Sequence, residues 1–303
     1  MSGPIDCTLY VTGRCNLKCR ACFRQAQDVP SRDMDIARVH AVLARFPTLK
    51  NVCMAGFGEP LLHPDLIALC TTVARAGKQL SLITNGTLLS RWSAQLGTLP
   101  FTYINVSINA ATASEHSAYN GTDTWLDVLA GVRMLREQRQ PVMISFVISQ
   151  RNIGSIRDYL SLAHVLGDVP VVLHSVLPHL PAWTASALVR FREEEALTDA
   201  DARTVTALAI VRGHVHARLV RSWPTLLTAT CPGLCQSPFV SVGVDPAGFV
   251  TPCRRIFPPD ARFGHMDDLD LWNGAGYTRT RAAVALHDTW IPTCLYCQGN
   301  WRG

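Results

Sequence analysis

Three cysteines near the N-terminus have a spacing that suits a metal cluster. Cys15, Cys19 and Cys22 lie within eight residues of one another, directly after a strand-like segment. Ligation by thiolates alone selects zinc or an iron–sulfur cluster. Zinc takes four ligands, and no fourth Cys or His lies nearby, so a zinc site would need a distant fourth ligand. A [4Fe–4S] cube held by these three thiolates would keep one iron open to another ligand.

Five further cysteines occur in the last quarter of the chain: Cys231, Cys235, Cys253, Cys294 and Cys297. A cube takes at most four thiolates, so at least one of the five would be spare. In one arrangement Cys231 is the spare thiol. In the other, the Cys231–Cys235 and Cys294–Cys297 pairs chelate the cluster, and Cys253 is spare. Four thiolates would also suit a zinc ribbon.

Alternating strand-like and helix-like segments from residue 8 to about residue 220 would position the first cysteine group. The strands are predicted at Thr8–Thr12, Asn51–Ala55, Leu80–Ile83, Tyr103–Ile108, Val142–Ile148 and Val171–Val176. The helices are predicted at Met34–Phe46, Asp65–Arg75, Trp125–Glu137, Ser155–Leu166 and Arg203–Leu219. This alternation predicts an α/β fold with a parallel sheet and functional loops at the carboxyl ends of the strands. Six units are too few for a complete eight-fold barrel.

The pattern changes after residue 222. Phe239–Val244 and Phe249–Thr251 indicate a hairpin, joined by a turn that contains Pro246 and Gly248. We therefore predict two domains, a barrel-like one at 1–222 and a small metal-stapled one at 223–303, which is too small to hold a core without its metal.

Composition narrows the function further. Hydrophobic residues make up 48% of the 303 residues, which excludes a disordered chain. The net charge of +5 is too small to indicate nucleic-acid binding. No apolar run approaches the roughly 20 residues that span a membrane, and the N-terminus does not resemble a signal peptide. We expect a cytoplasmic protein with neither nucleic acid nor membrane as partner, in which most cysteines serve metal or redox chemistry. Cys7, Cys53 and Cys70 lie in apolar segments and are predicted to be buried.

The N-terminal motif resembles that of the radical S-adenosylmethionine (SAM) superfamily. The spacing Cys15-x3-Cys19-x2-Cys22, followed by the aromatic Phe23, stands at the end of the first strand, as in that family. The resemblance implies a partial (β/α)6 TIM-type barrel. It also implies that the open iron binds SAM and that an external reductant, a flavodoxin- or ferredoxin-like protein, starts the reaction. The resulting 5′-deoxyadenosyl radical would take a hydrogen atom from the substrate.

Polar groups at the strand ends fit the same resemblance. Gly56-Phe57-Gly58-Glu59-Pro60 is similar to the family's Gly-Gly-Glu-Pro loop, with Phe57 in place of one glycine. The resemblance implies that Gly58, Glu59 and Pro60 contact the SAM ammonium, and we expect Glu59 to contact the ligand rather than pack into the core. The other predicted SAM contacts follow later strands: Asn85, Ser107, Asn109, Ser149 and Asn152.

The C-terminal cysteines resemble the shortened SPASM domain called Twitch, which holds an auxiliary cluster. The resemblance favours Cys235, Cys253, Cys294 and Cys297 as its ligands, and it implies a second [4Fe–4S] cluster. It extends to aminoglycoside-tailoring members of the superfamily, which act on amino sugars and aminocyclitols.

A spare thiol suggests how the reaction ends. Cys231 or Cys253 could return a hydrogen atom to the substrate carbon from the opposite face, which is epimerisation. Without a donor, the substrate radical would lose an electron to the auxiliary cluster and yield a carbonyl, which is dehydrogenation. The alternatives are therefore an epimerase and a dehydrogenase, besides a peptide-modifying maturase and a non-catalytic zinc-binding module.

The first strand begins close to the start of the sequence, which favours a small molecule over a peptide as the substrate. The acidic run Glu193–Glu195 could bind amino groups of such a substrate.

Overall fold

A computed structural model describes most of the chain. It describes residues 3–20, 22, 24, 28–176, 185–197, 202–213, 220–221, 235–253 and 263–286. Of the residues singled out above, Phe23, Cys231, Cys294 and Cys297 lie outside these ranges.

The described strands form a single sheet. Its order is β7-β6-β5-β4-β3-β2-β1-β8-β9, and every neighbouring pair is parallel except β8 and β9. The strands are β1 Asp6–Tyr10, β2 Asn51–Ala55, β3 Gln79–Thr84, β4 Phe101–Ser107, β5 Val142–Ile148, β6 Val171–Ser175, β7 Val220–Arg221, β8 Ser241–Val244 and β9 Val250–Thr251. The first six follow the chain in order, as a partial TIM-type barrel requires.

Helices alternate with these strands. They are α1 Ile36–Arg45, α2 Leu66–Arg75, α3 Leu89–Leu96, α4 Ala113–Asn120, α5 Trp125–Glu137, α6 Ile156–Val165, α7 Ala185–Glu194, α8 Ala202–Gly213, α9 Ser237–Val240 and α10 Ala275–Leu286. Their apolar faces pack on one side of the sheet. Val39 and Val42 of α1, for example, belong to the same buried cluster as Leu9 of β1. Amphipathic helices that cover one face of a parallel sheet give this layered core.

The six strands of the predicted barrel and the predicted hairpin are confirmed, and so are the buried positions of Cys7, Cys53 and Cys70. The sequence did not reveal α3, α4 or α7. It also did not reveal that β8 pairs with β1, which continues the sheet across the predicted domain boundary at residue 222. Among the described helices, none is both long and apolar enough to cross a membrane.

The face of the sheet away from the helices is polar. Side chains alternate along a strand, so residues paired across strands share a face. Thr8, Cys53 and Ser81 form one such row, and Ser107 and Ser145 belong to another. None of these five belongs to the apolar cluster under the helices. The barrel interior is therefore suited to a polar molecule.

Candidate functional site

The loop that carries Cys15, Cys19 and Cys22 is anchored at its start. Arg14 forms a two-pronged ion pair with Asp33, at 3.1 Å from Nε and 2.7 Å from Nη2. Nη2 also donates to the carbonyl of Leu62 at 2.7 Å. Thr12 donates to the same carboxylate at 2.5 Å. These bonds hold the end of β1 against the segment that leads into α1, and they fix where the cysteine loop begins.

The three thiols of this loop lie close together. All three are free cysteines and partly exposed. Burial raises the pKa of Cys19 to about 12, and the neighbouring Cys22 and Cys15 thiols raise it further. Burial also raises the pKa of Cys15 and of Cys22. Thiolates that repel one another in this way are stabilised by a bound cation, and metal binding would displace their protons.

The donor set fits an iron–sulfur cluster. Within the described parts of the chain, no three His, Cys, Asp or Glu side chains converge as the ligands of a single metal ion. A cube asks for a wider arrangement, since each of its thiolates binds a different iron. The loop therefore offers three thiols of suitable chemistry, while the fourth iron would be left for a different ligand.

The Gly56–Pro60 loop packs against this loop through its backbone. Gly58 N–H donates to the carbonyl of Thr12 at 3.0 Å, and Glu59 N–H donates to that of Arg14 at 2.7 Å. A Cβ on Gly58 would lie 1.9 Å from the Arg14 carbonyl oxygen. The residue must be glycine because only a bare backbone can approach so closely.

Glu59 lies deeper than the sequence predicted. It is 2% exposed. Its Oε1 accepts from Leu61 N–H at 2.9 Å and from the Thr84 hydroxyl at 2.6 Å, and its Oε2 accepts from Asn85 N–H at 2.7 Å. Burial raises its pKa, while these hydrogen bonds act in the opposite direction. The expectation that Glu59 does not pack into the core is wrong, because its carboxylate ties the loop after β2 to the end of β3. Its contact with SAM stays a prediction.

Asn85 joins the end of β3 to the cysteine loop. Its side chain donates to Asn16 Oδ1 at 2.9 Å and accepts from Thr87 N–H at 3.0 Å. Asn16 donates in turn to the Thr87 hydroxyl at 2.8 Å. A hydrogen bond from Asn85 also lowers the pKa of Cys15 against the effect of burial. The structure thus brings the predicted residue Asn85 to the first of the three cysteines.

The predicted residues of β4 stand at its carboxyl end. Ser107 is partly exposed on the barrel interior, opposite Ser145 of β5. Asn109 Oδ1 accepts from Val147 N–H at 2.8 Å and so extends the ladder between β4 and β5 beyond the last backbone pair. Both residues lie at the edge of the sheet where Asn85 meets the cysteine loop.

The predicted residues after β5 support their own turn. Ser149 N–H donates to Asn152 Oδ1 at 2.8 Å, and Asn152 Nδ2 donates to the carbonyl of Val147 at 2.9 Å. Ser149 Oγ accepts from Arg151 N–H at 3.3 Å. Contacts of Ser149 and Asn152 with SAM stay predictions, since the described bonds serve the loop itself.

The acidic run Glu193–Glu195 does not present a free anionic surface. Arg151 forms ion pairs with Glu194 and with Glu195, the latter at 2.6 Å. A guanidinium between these carboxylates compensates the charge that would attract substrate amino groups. The expectation that this run binds them loses its support.

Phe57 lines a cavity beside the cysteine loop. Its ring stacks on Tyr10 of β1, with centroids 4.0 Å apart. The cavity has a volume of about 220 Å³ and reaches from Gly13 to Ala247 in the β8–β9 turn. The residue that departs from the family's glycine pattern thus forms an aromatic wall at the carboxyl edge of the sheet.

Two of the five C-terminal cysteines are described, and both lie towards the opposite edge. Cys235 precedes α9, which leads into the start of β8. Gly243 pairs with Thr251, so two more residues bring Cys253 to the level of Ser241, which pairs with Asp6 at the start of β1. Cys231, Cys294 and Cys297 lie outside the described residues, so the ligand set of a second cluster stays a prediction.

Sequence reasoning missed the residues that hold the cysteine loop from α4. Cys19 Sγ lies 3.2 Å from Asn120 Oδ1, and the backbone N–H groups of Lys18 and Arg20 donate to α4 carbonyls at 3.2 and 2.9 Å. The phenol of Tyr119 also lies near the loop, since Cys19 and Cys22 add to the burial that raises its pKa. The signal was weak, because α4 is an eight-residue polar helix.

Comparisons with known proteins agree with this geometry. Residues 9–163 match the model of the radical SAM superfamily, and residues 235–298 match that of an iron–sulfur cluster-binding domain, SPASM. The PqqA peptide cyclase of Gluconobacter oxydans is 26% identical over 90% of this chain and 77% of its own length. A probable GTP 3′,8-cyclase of Metallosphaera sedula is 28% identical over 54% of this chain. The chain spans 52% of that cyclase, about half the length of most curated relatives matched first.

Solved structures show the same fold. The anaerobic sulfatase-maturing enzyme structure described as anSMEcpe with bound AdoMet superposes with a TM-score of 0.72 at 17% identity, covering 98% of this chain and 84% of its own. Streptococcus suis SuiB bound to S-adenosylmethionine gives 0.70 at 14% identity, covering 93% and 68%.

Proposed function

The chain belongs to the radical SAM superfamily, and from this premise we propose that it inverts one carbon of an amino-sugar-type small molecule by removing and returning a hydrogen atom. Its radical SAM domain binds SAM and a [4Fe–4S] cluster, and its SPASM domain binds further iron–sulfur. When bound, these groups supply the 5′-deoxyadenosyl radical that takes hydrogen from the substrate carbon.

The thiols of Cys15, Cys19 and Cys22 hold the SAM-binding cluster in this proposal. The observation that carries it is the interlocked carboxyl edge of the sheet, where the cysteine loop, the Glu59 loop and the end of β3 are joined by hydrogen bonds. Such a preformed support lets the chain orient SAM without reorganising, which lowers the cost of reaching the reactive geometry.

A hydrogen donor from the SPASM region would act from the other side. Cys253 lies at the level of the amino end of β1, whereas the cysteine loop follows its carboxyl end. Five residues of extended strand separate these levels by about 16 Å. A substrate in the barrel interior between them would meet the radical on one face and the thiol on the other. That arrangement favours inversion.

The barrel interior supports a small polar substrate. Asn105 lies on β4 and is 8% exposed, and its Oδ1 has no hydrogen-bond partner. An unpaired buried acceptor is costly, so a bound hydroxyl or ammonium that donates to it would stabilise the complex. Ser107 and Ser145 stand one pleat nearer the carboxyl edge on the same face. Together they match a molecule rich in hydroxyl and amino groups.

The return step balances as follows. The S–H bond of Cys253, or of Cys231 if Cys253 is a cluster ligand, breaks as the new C–H bond forms. The sulfur is left one electron and one proton short of a thiol. The external reductant supplies the electron, and solvent supplies the proton. No hydride acceptor is needed, and the product has the mass of the substrate.

An acidic reductant would suit the surface of the cysteine loop. Lys18, Arg20 and Arg32 are exposed on this loop and on the segment that follows it. A positive surface around an electron-accepting centre attracts a flavodoxin- or ferredoxin-like partner of opposite charge and speeds its association. The rate of reduction should therefore fall as the salt concentration rises.

Iron analysis tests the cluster assignment. Replacing Cys15, Cys19 and Cys22 together with Ala should remove about half of the iron and abolish 5′-deoxyadenosine formation. Cys70→Ala is the matched control, since Cys70 is buried in the apolar core, and it should keep both. A triple variant with its full iron content would refute the assignment, as would a colourless wild-type protein that carries zinc.

Incubation in heavy water with SAM, a reductant and a panel of aminoglycosides tests the outcome. Thiol hydrogens exchange with solvent, so the inverted carbon should gain one deuterium while 5′-deoxyadenosine carries the original hydrogen. Replacing the donor cysteine with Ala should leave 5′-deoxyadenosine formation intact and stop inversion, whereas Cys235→Ala should lower the iron content. A product lighter by two hydrogens and without deuterium would establish the dehydrogenase instead.

Peptide modification is the second candidate function. The match to a peptide cyclase over 90% of this chain favours it. In the heavy-water experiment, deoxyadenosine that forms with a peptide and with no aminoglycoside would replace the amino-sugar proposal with this one.

A further inference from the structure

The end of α4 makes a side-chain contact with one of the predicted cluster ligands. Cys19 Sγ lies 3.2 Å from Asn120 Oδ1, although the two residues are far apart in the chain. Asn120 is 5% exposed, so water does not compete for its amide. A buried amide beside a thiol affects the charge that the sulfur can carry.

Asn120 is held in place by His116 one turn earlier. Its Nδ2 lies 2.9 Å from Nε2 of His116, which lies 3.0 Å from the Thr124 hydroxyl. The His116 ring is fully buried and meets Trp125 edge-on, with centroids 5.4 Å apart. Burial lowers the pKa of His116, which keeps the ring neutral near pH 7. A neutral ring can serve Asn120 as donor or acceptor, according to its tautomer.

The backbone on both sides of Cys19 is docked on the same helix end. Lys18 N–H donates to the carbonyl of Asn120 at 3.2 Å, and Arg20 N–H donates to that of Tyr119 at 2.9 Å. These are carbonyls of the last turn, which a helix leaves without internal partners. Gly121 closes the helix in the left-handed conformation, with a φ of 76°. The sulfur of Cys19 is therefore placed against Asn120 by four groups of the chain itself.

We propose that the Asn120 amide donates a hydrogen bond to the Cys19 sulfur when that sulfur ligates iron, with His116 as the positioning residue. This inference rests on the proposed role of Cys19. In the free thiol, S–H donates to the amide oxygen. A thiolate has no proton to give, so the oxygen would face a negative sulfur. A half-turn about the last side-chain bond presents Nδ2 to the sulfur and Oδ1 to His116, and the two-fold torsion of an amide permits both states.

The consequence concerns electron transfer to the cluster. A hydrogen bond to a ligand sulfur withdraws negative charge and raises the reduction potential. The Asn120 amide would make the SAM-binding cluster easier to reduce than three unassisted thiolates would.

Redox titration of the reconstituted holoenzyme tests this role. The signal of the SAM-binding cluster is followed by electron paramagnetic resonance and identified by its change on SAM addition. Asn120→Ala should lower the potential, because the donor is lost. Asn120→Asp should lower it further, because a carboxylate next to the sulfur accepts rather than donates. Asn51→Ala, an exposed amide at the opposite edge of the sheet, should leave it unchanged.

Iron content separates the two levels of the inference. Asn120 variants that hold wild-type iron at an unchanged potential would overturn the role of Asn120 and leave the proposed function standing. A wild-type protein that binds no iron–sulfur cluster would overturn the proposed function instead. If Asn120→Ala does not fold, His116→Gln decides, since loss of the positioning ring should lower the potential by less than Asn120→Asp. An unchanged potential in both of these variants would refute the proposal.

Discussion

Replacing Glu59 with Ala should destabilise the protein, even before SAM is considered. The carboxylate caps the short helix at Pro60–Leu62 and also receives a hydroxyl and a second backbone N–H from the end of β3. Loss of an N-cap costs about 1 kcal/mol. A buried donor left unpaired costs about 1–3 kcal/mol. Relief of the desolvation that raises the pKa of Glu59 offsets part of this loss.

We therefore expect Glu59→Ala to lower the free energy of unfolding by about 2–4 kcal/mol. For a chain of this length that is a fall in Tm on the order of 5–12 °C. Thermal unfolding of the apo protein measures it without SAM or iron. Glu137→Ala, at an exposed position of α5, is the control and should unfold like the wild type. Glu59→Gln keeps the shape but turns an amide towards one of the donors, so it should fall between the two.

SAM affinity of the reconstituted variants then completes the experiment. A Glu59→Ala protein that unfolds like the wild type, yet has lost SAM binding, would refute the structural reasoning. It would restore the interpretation of Glu59 as a ligand contact alone.

Three further predictions follow from the same site. Gly58→Ala places a methyl group against the Arg14 backbone and should lower the rate of SAM cleavage by about 10²-fold; Gly154→Ala, where the methyl meets open space, should not, and equal rates would refute the close approach. Because burial raises the pKa of Glu59 above 4.5, its ionisation opposes folding. The free energy of unfolding of Glu59→Gln relative to wild type should therefore rise as the pH increases from 4 to 7, and a flat difference would show that Glu59 titrates as in the unfolded chain. Phe57→Ala removes one wall of the 220 Å³ cavity and should raise the KM for substrate more than it changes SAM binding; an unchanged KM would place the substrate elsewhere.

The fold could be predicted from the sequence where hydrophobic pattern and element length agree. The apolar runs of β2 and β5 are buried strands with the predicted bounds. The eight-residue helix α4 escaped detection because its buried residues, His116 and Asn120, are polar. A hydrophobic pattern cannot show a helix whose buried face is held by hydrogen bonds.

The site could be predicted by type and spacing, but its support could not. The cysteine motif and Gly58 carried their signal in the sequence. The role of Glu59 as a tie between two loops depends on Thr84 and Asn85, which approach it when β2 and β3 pair. The pairing of β8 with β1 was likewise invisible, because strand partners distant in the chain leave no local pattern.

That last pairing has a consequence for how the protein is made. During synthesis β1 emerges first, and β2 can pair with it soon afterwards. The other edge of β1 has no partner until Ser241–Val244 leave the ribosome. For most of translation the nascent chain therefore carries an open strand edge, of the kind that recruits other chains into aggregates. Contacts between sequence-distant segments also form slowly, because a long loop must close first. A fragment that ends before β8 would keep this edge permanently, and co-expression of the missing hairpin would be the way to cover it.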